Sequence, residues 1–450
     1  TFTSPDDVGH ISYIIYLSTM HDRPILGSTK LEKTVAENCY DWDESKEYKI
    51  NTEKYDESER LNWIAQHPPL YYFYLLPFYK ITTIFSTQLS DIILILRMAT
   101  IPLGIITLLF LLKTLELLGA GKITTKCALI CFSFSSAIQY YFTAIDNDAM
   151  VICISSAAFY YFIKFLKNNS NKNLYIFAAL CGGITVTKYT GAIVLPVYVL
   201  FYIYYAVYIK KVNITRFIKS SFISITIFCI ITVPVLLDNY AKCGSFFSNA
   251  ISTLENNSDG TLVSFVKGSY FNEIFTHIIS LTGWERMIAA NEGIKALVVL
   301  VILCIFFAKI SHYMLQMIPF MAATFLMKIT GMNVLTAIGI SAVLMIMIQA
   351  IRNGNKCNNS RYFYLLSFCL ISFFVSIFFW KHYQIFLQRG RTSAMHGRYY
   401  YPLMVPFFSL LFEGLDNLND KTIKYMPMIL FCTSLYTEVN LICQGMQTWY

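Results

Sequence analysis

Asp91–Lys113 reads DIILILRMATIPLGIITLLFLLK. Between its acidic first residue and basic last one, only Arg97 interrupts the apolar run. About 20 such residues carry an α-helix across a bilayer. Runs of this kind recur at 126–145, 149–166, 173–187, 190–209 and 219–237, then at 294–308, 313–330, 333–351, 362–380, 401–414 and 425–443. Of 450 residues 56% are hydrophobic and only 14% charged, with a mean hydropathy of +0.52, a balance that excludes a soluble domain of this size. No stretch shows the shorter alternation of a membrane β-barrel. The sequence therefore predicts an all-α polytopic membrane protein, a bundle of about 12 transmembrane helices.

The charges orient that bundle. Alternate loops are basic: Lys122/Lys126, Lys164/Lys167/Lys172, Lys210/Lys211/Arg216/Lys219, Arg352/Lys356/Arg361 and Lys421/Lys424. The positive-inside rule makes these cytoplasmic. It also accounts for the net charge of +8 without nucleic acid. Residues 1–66, the turn Asp146–Asp148, and the loops 238–293 and 381–400 then face outside. The chain divides into an outer first loop with surface or re-entrant helices (1–90), a transmembrane module (91–237), a large outer loop (238–293) and C-terminal transmembrane helices (294–450). The 12 cysteines form no CxxC pair or metal-ligand spacing and read as small packing residues.

The outer side collects the groups that carry chemistry. Asp6 and Asp7, in TFTSPDDVGH, form a carboxylate pair suited to general-base work, with His10 one helical turn on. Ser4-Pro5-Asp6-Asp7 is equally a good helix start, with acid favoured in the first turn. Asp146-Asn147-Asp148 lies in a very short turn between two spans, as a substrate or metal site or as a cap for the following helix. Arg97 lies near the outer end of its span, placed to snorkel or to bind phosphate. Lys188, in TVTKYTG, allows the same two readings. His396-Gly397-Arg398-Tyr399 joins a residue that permits close approach to a bidentate phosphate fork. Trp284 offers a stacking face for a sugar, or a membrane anchor. No nucleotide-binding fingerprint is present, so a membrane-soluble donor suits the chain better.

In order along the chain these motifs resemble those of the membrane glycosyltransferases that use polyprenyl-phosphate sugars, the GT-C type, which includes protein O-mannosyltransferases and aminoarabinose transferases. PDDVGHISY is similar to their acidic motif, usually Asp-Glu, and HPPLYYFYLLPFY to their Pro-Pro-Leu-Tyr segment. LRMATIPLGIITLLFLL, AIDNDAMVICISSAAFYYF and TKYTGAIVLP follow in the same order. The whole set, with the C-terminal GRYYYPLMVPF, most resembles a family of bacterial membrane proteins within that superfamily. The family pattern has a first transmembrane helix ahead of the acidic motif, which here stands at the start of the sequence.

The resemblance implies a cap of surface helices over a bundle whose site opens at the outer leaflet of the inner (plasma) membrane. It implies transfer of a sugar from a polyprenyl-phosphate donor to a glycan, lipid or protein acceptor. Asp6 would then be the general base, beside Asp7. Arg97, Lys188, Arg398 and His67 would hold the donor phosphate. Asp146, Asp148 and His10 would meet substrate or metal, and Trp284 the sugar. No cofactor is required, although Asp6/Asp7 or Asp146/Asp148 leaves room for a divalent ion. The alternatives are a transporter or flippase for an anionic or lipid-linked substrate, whose charges belong near the bilayer midplane, and a non-catalytic envelope assembly protein.

Overall fold

The computed structural model describes residues 6–37, 60–134, 136–247, 360–389 and 397–415, with isolated residues 265, 425, 427–428, 431–432 and 435. The expected spans at 294–351 lie outside the described residues, as does most of 425–443. What is described is helical, with one isolated antiparallel bridge between Lys30 and Leu61. Five stretches are long and apolar enough to cross a bilayer: Leu89–Leu118, Asp148–Asn168, Tyr189–Val207, Ile214–Cys243 and Leu365–Leu387. The chain is an all-α, multi-pass membrane protein.

The opening helix, α1 (Asp7–Met20), differs from a surface helix. Asp7 through Ile14 is buried on every side. Gly9 allows this: a β-carbon there would stand 2.5 Å from Ile64 Cγ1, on the 3-10 turn Trp63–Gln66. Asn62 joins the two elements. Its amide nitrogen donates to the Gly9 carbonyl (3.0 Å), while its Oδ1 accepts from the Ile64 backbone (2.9 Å). A short helix, α2 (Lys33–Glu37), packs on α1. Pro68 and Pro69 delay helix until α3 (Leu70–Phe85), as their missing donors dictate. Tyr13 of α1 and Tyr72 of α3 stack with ring centroids 3.6 Å apart. At 16 residues α3 is about 24 Å long, short of the hydrocarbon thickness.

Helix α4 (Leu89–Leu118) is followed by α5 (Lys122–Ser133) and α6 (Ser136–Tyr141). The expected continuous span 126–145 is thus broken. The break falls in Ser133-Phe134-Ser135-Ser136, where hydroxyls compete for backbone hydrogen bonds. Gln139 donates to the Ser133 carbonyl left over (2.7 Å). Helix α7 (Asp148–Asn168) is the central post, buried along most of its length against α4 and α8 (Asn171–Thr185). The 15 residues of α8 span only about 22 Å. Next come α9 (Tyr189–Ala192), α10 (Leu195–Tyr204), a π-helical turn (Tyr205–Ile209) and α11 (Ile214–Cys243). Further on lie α12 (Ser360–Arg389), a 3-10 helix (Gly397–Leu403) and α13 (Met404–Leu415).

Cross-contacts define two ends. At one, Lys167 Nζ donates to the Leu117 carbonyl (2.8 Å) and Arg216 to that of Asn169 (3.4 Å). The basic loops after α4, α7 and α10 therefore share an end, as the charge pattern requires. At the other, Arg97 in the third turn of α4 and Ile145, three residues ahead of α7, meet Asp7 at the start of α1. Helix α11 runs six residues beyond position 237 and ends there too. Its Asp238 and Lys242 are clasped by Arg23 and Asp22 from the segment after α1. The Lys242 ammonium holds the Asp22 carboxyl below its usual pKa.

Candidate active site

The sequence breaks helix just before Asp7 and again at Asp146–Asn147, and both breaks fall at one end of the bundle. Asp7 is fully buried. Its Oδ2 accepts from the Arg97 guanidinium at 2.8 Å and its Oδ1 from the Ile145 backbone N–H at 3.1 Å. One carboxylate thus ties α1 to α4 and to the turn before α7. Arg97 does not snorkel away; it turns into this pair, with its side chain 21% exposed. Asp6 stands differently. It is the N-cap of α1, yet its side chain makes no capping bond. Its Oδ1 accepts from the Trp63 indole at 3.2 Å, and the residue is part-exposed at the rim.

Asp146 and Asp148 converge on Lys188, which the end of α8 delivers. The ammonium lies 2.6 Å from Asp148 Oδ1 and 3.9 Å from Asp146 Oδ1, with every partner almost wholly buried. Asp146 Oδ1 also accepts from the Asp148 backbone N–H at 3.0 Å. The turn therefore caps α7 and builds an ionic cluster with the same atom. His10 enters from α1: its Nδ1 is 2.9 Å from the Tyr72 hydroxyl and its Nε2 3.7 Å from Asp146. His67 lies parallel to it, ring centroids 6.4 Å apart. Burial drives the His67 pKa well below its ordinary value, and the nearby Lys188 charge adds to the shift. His67 is therefore neutral at pH 7 and offers a phosphate hydrogen bonds, not charge.

The structure thus brings Asp6, Asp7, His10, His67, Arg97, Asp146, Asp148 and Lys188 to one end. Arg398 lies in the 3-10 helix Gly397–Leu403, which packs on α7. Trp284 lies outside the described residues. Among the described residues no group of three or more His, Cys, Asp or Glu could hold a metal ion. The Lys188 ammonium occupies the place between Asp146 and Asp148 that a cation would take, and Arg97 does so at Asp7, so these side chains do not fit a divalent ion as they stand.

Two residues of this end went unread in the sequence. Tyr72 carries the stack that joins His10 to α3, and only its place in an aromatic run marked it. Asn147 is fully buried and neither its amide oxygen nor its nitrogen has a hydrogen-bond partner. Its position between two aspartates was the available signal.

Residues 66–237 match the family described as dolichyl-phosphate-mannose-protein mannosyltransferase. The resemblance to the polyprenyl-phosphate-sugar glycosyltransferases holds. The matched stretch, under half of the chain, carries His67, Arg97, Asp146, Asp148 and Lys188. The chain is also similar to two crystal structures of ArnT from Cupriavidus metallidurans. The apo state is 13% identical, with 92% of this chain and 72% of that one covered at a TM-score of 0.38. The form bound to undecaprenyl phosphate is 12% identical, with 96% and 74% covered at a TM-score of 0.39. At that distance no residue role follows from them. No curated protein matches the chain by sequence.

Proposed function

We propose that this protein transfers a sugar from a polyprenyl-phosphate-linked donor to an acceptor at the outer face of the inner membrane. The observation that carries this reading is the division of labour within the acidic pair. Asp7 is fully buried and holds Arg97, whereas Asp6 is part-exposed at the rim, where the Trp63 indole donates to its Oδ1. A reachable carboxylate beside a fixed ionic cluster suits an acceptor hydroxyl that must lose its proton as it attacks.

The reaction is a displacement at the anomeric carbon. The acceptor oxygen forms the new glycosidic bond, the bond to the phosphate oxygen breaks, and the lipid phosphate leaves with the electron pair. Asp6 takes the acceptor proton. Arg97 and Lys188, held by Asp7 and Asp148, present fixed positive charge to the leaving phosphate. Arg398 belongs to the 3-10 helix that packs on α7, and His10 and neutral His67 supply hydrogen bonds. The Asn147 amide, with a donor and an acceptor both unengaged, matches a pair of sugar hydroxyls. The mechanism makes no use of a metal ion.

The orientation rests on the basic loops gathered at the opposite end, which the positive-inside rule assigns to the cytoplasm. A transporter reading would place charge along a midplane path. Asp7 opens α1, Asp146 and Asp148 flank the start of α7 and Lys188 precedes α9, so the carboxylates and Lys188 lie where helices begin, which favours surface chemistry.

The test is transfer from a synthetic polyprenyl-phosphate sugar, with the full-length protein in lipid nanodiscs and membrane extract as the acceptor source. Release of polyprenyl phosphate that depends on the protein and vanishes in Asp6→Asn is the expected result. Binding of the donor without release, equal in wild type and Asp6→Asn, would sink the enzymatic reading.

A further inference from the structure

Arg97 and Lys188 each have a carboxylate of their own. Arg97 is paired with Asp7, and Lys188 with Asp148 and Asp146. A leaving phosphate brings fresh negative charge, and paired cations answer it only weakly. Lys381 is different. It lies six residues before the end of the span Leu365–Leu387 and is only part-exposed. No carboxylate of the described residues lies within ion-pair distance of it. Its ammonium is 5.8 Å from the Phe378 ring centre and 6.0 Å from that of Tyr399. The Lys188 ammonium is 5.9 Å from the same Tyr399 ring.

Two ammonium groups against one aromatic ring, at the edge of a bilayer, repel one another. The ring faces offset only a part of that cost. A lysine that merely snorkels would carry its charge out to the headgroups; this one lies over two rings of the bundle. An unpaired cation in a spanning helix, beside a second cation, is the arrangement that an anion completes.

We propose that Lys381 is the principal phosphate-holding residue of this end, binding the phosphate of a lipid-linked ligand across Tyr399 from Lys188. The assignment rests on the donor site proposed above and moves its main charge from the first half of the chain to α12. The ligand chemistry is a phosphate ester on a lipid, which both a polyprenyl phosphate and a bulk phospholipid offer.

The experiment is native mass spectrometry of the full chain released from detergent, with undecaprenyl phosphate, phosphatidylglycerol or inorganic phosphate added in separate arms. Wild type, Lys381→Gln, Lys381→Arg and, as a control at the opposite end, Arg216→Gln are compared. A charge-assisted contact predicts a loss of about tenfold or more in undecaprenyl phosphate affinity for Lys381→Gln. Lys381→Arg should retain most of it, and Arg216→Gln should match wild type. Thermal melting without ligand checks that Lys381→Gln is folded, and Lys381→Arg serves as the readout if it is not: affinity equal to wild type supports the assignment, and a tenfold loss overturns it. If wild type binds undecaprenyl phosphate and a folded Lys381→Gln binds it equally well, the Lys381 assignment falls and the glycosyl-transfer reading stands. If wild type binds none, both fall. An equal Lys381 dependence for phosphatidylglycerol would mean a bulk-lipid contact and overturn the assignment.

Discussion

The two ends of the bundle use charge in opposite ways. At one, Lys167 and Arg216 reach backbone carbonyls from exposed positions. At the other, Asp7, Asp146, Asp148 and Lys188 are almost wholly buried: Asp7 pairs with Arg97, and Asp146 and Asp148 pair with Lys188. Exposed charges are held by water and cost little to move. Buried ones persist only as complete sets. One end therefore carries the charge bias on which the proposed orientation rests, and the other has a geometry fixed by its own ion pairs, which is what stabilising a developing charge requires.

The sharpest way to break this contrast is Asp6→Asn. The change keeps the shape and the acceptor oxygen for Trp63, so the melting temperature should stay put. Loss of a general base should lower transfer by about 10²–10⁴-fold. A variant that transfers normally would leave Asp6 as a helix-start residue and nothing more.

Asp7→Ala and Lys188→Ala test the other half of the comparison. Each strands an ionic partner, the part-buried Arg97 in the first and the buried Asp148 in the second. Destabilisation of about 3–5 kcal/mol is expected in denaturant or thermal unfolding. Losses below about 1 kcal/mol, the range of surface pairs, would erase the difference between the two ends.

Asn147→Leu separates ligand binding from structure. A buried amide without partners costs about 1–3 kcal/mol, so its removal should leave stability unchanged or raise it. Transfer should fall by about tenfold if the amide meets the sugar. A fall in both would point to a structural amide.

How much of this was legible follows the same division. The apolar runs gave α7 nearly to its ends and the middles of α4 and α11, because a spanning helix needs only length and apolarity. The basic loops gave the shared end for the same reason: the rule acts on composition. The burial of α1 was not legible, since Gly9 reads as an ordinary small residue until Ile64 is brought against it. The break of 126–145 hid in a serine cluster that an apolar average smooths over. Asp6, Asp7, Arg97, Asp146, Asp148 and Lys188 were found one by one. Which of them pair was not legible, because Asp7 and Arg97 lie 90 residues apart and only packing makes them neighbours.

His67 gives a smaller effect, read through pH. Its folded pKa lies below the unfolded value of about 6.5, so the unfolded chain binds the extra proton first. The stability tied to neutral His67 is full above pH 6.5 and declines as pH falls below it toward the folded pKa. Wild type should lose melting temperature between pH 7 and 5 more steeply than His67→Asn, which has no proton to gain. Identical slopes would mean that His67 is solvated and charged, and would return it to the phosphate cations.

The smallest effect belongs to the exposed end. Lys167→Ala and Arg216→Ala each remove one hydrogen bond from an exposed side chain to a carbonyl that water can reach. Stability should change by no more than about 0.5 kcal/mol and transfer not at all. Their consequence lies in topology: removing both, together with Lys210 and Lys211, weakens the charge bias by which the positive-inside rule would place these loops in the cytoplasm. Cysteine-labelling from either side of the membrane would report it as a mixed population. If transfer fell in these variants while labelling stayed uniform, the basic end would have a part in the chemistry, and the separation of roles between the two ends would fail.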